Sequence, residues 1–170
     1  EAGQPHGMAL FGFRALITLR LEKHFGTWFR EYRPIYTPLE AGMDRYLKFD
    51  HEFTGREAVE AELAGGGPKR RLVMFEIDVD EHEPADVIGD EPVWLVGHDE
   101  DDRHDNDRVV GWIASGGYAH YSGLSLAWGY VPAELADGAQ QFEIEIIGKR
   151  RPARIQKEPA VDPAGLRMRA

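Results

Sequence analysis

At Gly65-Gly66-Gly67-Pro68 the sequence changes period, and that change constrains the fold more than any other feature. Three glycines accept left-handed backbone and the proline cannot continue a helical ladder, so no helix crosses this point. Before it lie helical and broken segments. After it the apolar residues follow the alternation of strands, beginning with Leu72, Met74 and Phe75, Ile77 and Val79. Further short runs are expected at residues 93–96, 109–114, 124–131, 142–147 and 153–157, separated by Gly, Pro and Asp, the pattern of an antiparallel sandwich or barrel. The expected class is α+β, a short helical segment followed by a mostly antiparallel β-barrel. Its boundary lies near Gly65, giving parts 1–64 and 65–170.

Within the first part, Met8 to Phe25 carries no proline and its first half reads as a helix. Leu19-Arg20-Leu21-Glu22 either continues that helix or turns extended. Pro34 and Pro38 break the chain, and a short extended stretch is expected from Arg45 to Phe49. Thr54-Gly55-Arg56-Glu57 fits a capping box, so a helix is expected from Gly55 to Ala64.

Charge and composition exclude several classes of function. The net charge of −10 repels nucleic acid and anionic membranes. It is uneven: residues 76–107 hold fourteen acids against one Arg103, whereas Lys69-Arg70-Arg71 and Lys149-Arg150-Arg151 are basic. There are no cysteines, which removes disulfides and thiol catalysis and leaves a cytoplasmic home as the default. No stretch has the apolar length of a membrane helix. The sequence opens on Glu1 rather than Met and reads as a processed or cut chain.

Candidate sites are few. The run His98–Asp107 has neither the glycine nor the spaced closing Glu of a calcium loop, and reads as a solvated hairpin tip. The seven histidines show no metal-ligand spacing, so no metal and no catalytic residue is assigned. Ser115-Gly116-Gly117-Tyr118-Ala119-His120-Tyr121 is either a tight turn between strands or a loop that lets a ligand approach the backbone, with Tyr118 and His120 beside it. Glu22 and Glu40 sit among apolar neighbours and need a partner to stay charged, which is either structural pairing or a ligand. Trp94, Trp112 and Trp128 fall in expected strands, whereas Trp28 lies in a loop-like stretch and is a candidate platform for a flat ligand.

Six segments in order carry a resemblance. They are Leu19-Arg20-Leu21-Glu22-Lys23, residues 36–42 (YTPLEAG), residues 53–58 (FTGREA), Lys69-Arg70-Arg71-Leu72-Val73, Ser115-Gly116-Gly117-Tyr118 and residues 129–134 (GYVPAE). Together they resemble the T-protein family, which comprises the glycine cleavage aminomethyltransferase and the C-terminal halves of dimethylglycine and sarcosine dehydrogenases. The Glu22-Lys23 pair, the Trp28 region and residues 162–169 resemble the dehydrogenase branch more. The resemblance implies tetrahydrofolate as one-carbon acceptor, with FAD only in an upstream domain of a parent enzyme. It also implies that the catalytic aspartate and the pterin-binding glutamate lie upstream of Glu1. Trp28 falls where the family often has an aromatic beside the folate, and Arg71 where a cation suits the folate glutamyl carboxylate. The family's arginine three residues before Leu19 is replaced here by Leu16, with Arg14 displaced by two. The expected function is the folate-side C-terminal portion of an FAD-linked N-methylglycine dehydrogenase or aminomethyltransferase, its partners being folate and upstream domains. The alternatives are a non-catalytic barrel module that closes or docks a larger enzyme, and part of a folate-dependent demethylase of a methylated sulfur compound.

Overall fold

A computed structural model describes residues 2–79, 86–97 and 107–169. The run 98–106, with His98 and His104, and His82 lie outside the described residues. Two helices, α1 (Phe13–Glu22) and α2 (Arg56–Ala64), precede six strands: β1 (Arg70–Ile77), β2 (Pro92–Leu95), β3 (Arg108–Ala119), β4 (Leu124–Pro132), β5 (Phe142–Ile146) and β6 (Lys149–Ile155). The strands close into an antiparallel barrel in the order β1-β4-β3-β2-β5-β6. Closure rests on a short ladder that pairs Phe75 with Ile155 and Ile77 with Ala153. The α+β barrel expected from the sequence is the observed architecture.

Strand alternation divides the apolar residues between two cores. Val73, Phe75 and Ile77 of β1, Ala127 and Val131 of β4, and Phe142, Ile144 and Ile146 of β5 fill the barrel interior. Met74 and Leu72 of β1, and Leu126 and Trp128 of β4, point the other way and pack with Leu21 of α1. Both faces of β1 and β4 are therefore covered, which is why these strands read as nearly continuous apolar runs rather than a clean alternation.

Several local expectations are corrected. The helix near the start occupies residues 13–22, across the middle of the 8–25 window rather than its first half, and Leu19–Glu22 belongs to it. It ends where His24 takes a left-handed conformation (φ 55°). The stretch after Met43 is not extended but forms a 3-10 turn, Asp44–Tyr46. The capping box does not form: Gly55 is the N-cap in left-handed backbone (φ 92°) and no side chain caps the end. Arg56 instead reaches Glu60 at 2.8 Å and the His51 carbonyl at 3.1 Å.

The largest difference is in β3. Residues 115–119 are not a turn but the continuation of the strand, and the reversal follows at Gly123, whose N–H meets the Ala119 carbonyl at 2.8 Å. What disguised the strand is a bulge. Ile113 pairs with Gly129 but Ser115 pairs with Trp128, so Ala114 is the extra residue. Ile113 faces the barrel interior; past the bulge the alternation is inverted, and Ser115 faces out beside Trp128 toward α1.

Candidate functional site

The bulge builds a buried polar cluster between α1, the loop after it and β3. Arg20 pairs through Nη1 with Glu31 at 3.1 Å and donates from Nη2 to the Ser115 hydroxyl at 2.5 Å. Ser115 in turn donates to the second oxygen of Glu31. Glu31, with 0% of its surface exposed, also accepts the Thr27 N–H at 2.6 Å and the Thr27 hydroxyl at 2.8 Å. Its backbone carbonyl takes the Tyr130 hydroxyl at 2.7 Å, and burial pushes that phenol far above its ordinary range. A carboxylate this deep has its burial offset by the cation and the several donors that face it. Of Arg20, Glu31 and Ser115, the sequence singled out none as part of a polar cluster; Ser115 entered only at the head of the 115–121 segment. The one signal for the cluster was a serine breaking an apolar strand.

Beside this cluster a cleft of about 540 Å³ opens between α1 and β3. Ile17 and Leu19 of α1 form one wall, Val87 and Ile88 another, and Tyr118 with His120 the far end. The tyrosine and histidine rings meet edge to face at 5.1 Å. Arg14 and Asp86 pair across the mouth at 3.0 Å, and Arg30 adds a second cation to the rim. Gly116 and Gly117 serve packing here. A Cβ on Gly116 would lie 2.7 Å from Val87, and one on Gly117 would lie 3.5 Å from Thr18 of α1. Gly116 thus lets the segment before β2 close on the strand, whereas the Gly117 contact with α1 is an ordinary one. The chemistry of the cleft suits a flat, largely apolar ligand with an anionic end. Its one carboxylate, Asp86, is already paired with Arg14.

Of the six residues singled out in the sequence, only Tyr118 and His120 line this cleft. Glu22, 3% exposed, clamps the β3–β4 reversal by accepting the N–H groups of Tyr121 at 3.1 Å and Ser122 at 2.8 Å. Glu40 closes its own loop, accepting the Thr37 N–H at 3.2 Å, and pairs with Arg70 at 3.1 Å. Arg71 holds both oxygens of Asp44, at 2.7 and 3.1 Å, and the Leu39 carbonyl at 2.8 Å. That guanidinium holds the Asp44 carboxyl below the usual carboxylate range. Trp28 is 78% exposed and touches Phe29 edge to face at 5.9 Å. Among the described residues no group of three or more His, Asp or Glu converges as a metal site would require. No helix among them is long and apolar enough to cross a membrane.

Comparison with known proteins gives a consistent set of relatives. Residues 70–162 match the model of the glycine cleavage T-protein C-terminal barrel domain, and residues 1–51 that of the GCVT N-terminal domain. Mitochondrial dimethylglycine dehydrogenase of Rattus norvegicus is 40% identical over 163 residues, which is 95% of this chain and 17% of that protein. An aminomethyltransferase of Acidobacterium capsulatum is 34% identical over 163 residues, or 94% of this chain and 39% of that one. Mitochondrial sarcosine dehydrogenase of Homo sapiens is 33% identical over 76% of this chain and 13% of its own length. The chain thus spans under a fifth of the dehydrogenases it matches. The crystal structure of glycine cleavage system aminomethyltransferase T from Bartonella henselae has the same fold, with a TM-score of 0.68 at 22% identity over 86% of this chain and 38% of that one. The mitochondrial names of the dehydrogenases do not sit with the strictly cytoplasmic home expected above.

Proposed function

The chain belongs to the glycine cleavage T-protein family, and on that premise we propose that it is the folate-side C-terminal portion of an enzyme that moves a one-carbon unit from an N-methylated amine to tetrahydrofolate. The dehydrogenase branch is favoured because the relative at 40% identity is a dimethylglycine dehydrogenase. FAD chemistry and the proton-transferring carboxylate then reside in parts of the parent enzyme outside these 170 residues. The observation that carries the reading is the cleft between α1 and β3, whose apolar walls fit a flat ring and whose rim arginines fit a carboxylate.

Tetrahydrofolate, when bound, accepts the one-carbon unit on its ring nitrogens. This chain holds and orients it. Tyr118 and Val87 supply apolar surface, and Arg30 supplies charge at the rim beside the Arg14–Asp86 pair. Trp28 presents a free ring, and Arg71 keeps its Nε–H and one further N–H unused by Asp44 and Leu39. Glu22 and Glu40 act by fixing the β3–β4 reversal and the loop before the 3-10 turn.

Calorimetric titration of tetrahydrofolate into the parent enzyme and into this chain tests the proposal. The parent is expected to bind, and the chain, offering one wall, at least tenfold more weakly, a difference of about 1.4 kcal/mol. In the parent, Tyr118→Ala and Trp28→Ala should each weaken binding by about 1–3 kcal/mol. Binding unchanged by both substitutions would remove folate from this surface.

A further inference from the structure

A second, smaller pocket of about 110 Å³ meets the cleft proposed for folate at Arg30 alone. Arg30 and Arg33 of the loop after α1, Asp90 ahead of β2, and Trp112 with the bulge residue Ala114 of β3 line it. A water's share of the liquid is about 30 Å³, so the space holds roughly four waters or one molecule of small amino-acid size.

What sets the pocket apart is charge left unpaired. Among the described residues the side chains of Arg30, Arg33 and Asp90 make no hydrogen bond or ion pair, with one another or with any neighbour. The charges around them are engaged elsewhere. Arg70, whose guanidinium stands 5.3 Å from the Trp112 ring centroid, pairs with Glu40, and Asp86 pairs with Arg14. Glu91 accepts the N–H groups of Ile88 at 2.7 Å and Gly89 at 2.9 Å. The backbone carrying the three free charges is pinned. Glu31, beside Arg30, is fully buried, and the Asp90 N–H donates to the Ile113 carbonyl at 2.7 Å. Glycine at position 89 gives Arg30 its place, since a Cβ there would lie 3.2 Å from Nη1. Two cations and one carboxylate thus border one small space without pairing across it.

The uncharged lining adds a donor and apolar surface. Tyr36 accepts the Trp112 indole N–H at 3.1 Å, which leaves its own O–H to donate. Phe29 and Trp112 supply aromatic surface. Guanidinium forks favour a carboxylate, and the Asp90 carboxylate favours a cation close by. One small molecule satisfies both only by carrying both charges. We propose that this pocket binds a small amino acid as its zwitterion, the carboxylate held by Arg30, Arg33 and the Tyr36 hydroxyl, and the ammonium by Asp90. The site is independent of whatever fills the neighbouring cleft.

The Trp112 indole N–H signal of the 15N-labelled chain reports on the pocket. L-alanine is the probe. Sodium propionate, which lacks the amine, and ethylammonium chloride, which lacks the carboxylate, are its controls at equal ionic strength. L-alanine is expected to shift the Trp112 signal saturably, with each control at least tenfold weaker. Arg33→Gln and Asp90→Asn change exposed residues outside the neighbouring cleft and should keep the folded spectrum. Arg33→Gln should lose at least tenfold in alanine affinity, and Asp90→Asn should bring alanine down to the level of propionate. A shift without saturation, a control equal to alanine in the unaltered chain, or alanine affinity unchanged in either variant would overturn the site. In the parent enzyme Arg33→Gln should leave the tetrahydrofolate titration unchanged, so the two sites stand or fall separately. A weaker folate titration with Arg33→Gln would give the pocket to the folate and overturn its independence.

Discussion

Glu31 has none of its surface exposed, and its carboxylate meets Arg20, Ser115 and both the N–H and the hydroxyl of Thr27. Pairs of this kind contribute little net stability because desolvation offsets their attraction, yet breaking one side is costly. Glu31→Ala leaves the Arg20 guanidinium buried against Ser115 and the Phe25 carbonyl alone. We expect a loss of about 3–5 kcal/mol in urea unfolding, with Arg20→Met/Glu31→Leu recovering most of it. A cost below about 1 kcal/mol for Glu31→Ala would mean that solvent reaches the pair. Very little of this was legible in the sequence. Glu31 sits in a run of mixed polar and aromatic residues, and its partners lie 11 and 84 positions away. Only the placement of α1 over the bulge brings them together. Glu22 was legible as a carboxylate among apolar neighbours, but its partners are backbone N–H groups of a reversal that the sequence placed too early.

Elements were read well where alternation alone decides and badly where a turn decides. β1, β2, β4 and β5 lie within two residues of their expected ends because their inward residues repeat every second position. β6 begins four residues early, at Lys149. Its reversal is two residues, Ile147 and Gly148, between paired Ile146 and Lys149, both with positive φ (50° and 73°). That is the twist-matched hairpin turn, for which Asn-Gly is the usual signature. Ile147 hides it: a β-branched residue pays for left-handed backbone, and its side chain, 89% exposed, recovers nothing by packing. Ile147→Asn is therefore expected to stabilise the chain by about 1 kcal/mol in thermal or urea unfolding. An unchanged or lower midpoint would show that Ile147 makes contacts in the parent's fold or in the denatured state that outweigh its strain.

At the scale of the whole molecule the question is whether the change of period near Gly65 also separates two folding units. The division into 1–64 and 65–170 remains a proposal, and the packing bears on it from both sides. α2 supports a loose first part, since Val59 is its one buried residue and the Thr37–Glu62 bond at 2.9 Å ties it to its own loop. α1 argues the other way. Leu21 completes the outer core with Met74, Leu126 and Trp128, Tyr36 stacks on Tyr130 at 3.9 Å, and Trp112 donates to the Tyr36 hydroxyl at 3.1 Å. A barrel stripped of the first part keeps its interior core but uncovers that apolar outer face. Residues 70–169 made alone are therefore expected to retain strand circular dichroism, to bind an anilinonaphthalene dye that the full chain does not, and to unfold at lower urea. Equal midpoints and no dye binding would make the barrel an autonomous domain. The expected result makes α1 and its following loop part of the barrel's own core, with the two family models meeting inside one cooperative unit. In that case the cleft proposed for folate, lying on the seam between α1 and β3, opens and closes only as the seam itself loosens, and ligand binding there should raise the unfolding midpoint of the whole chain.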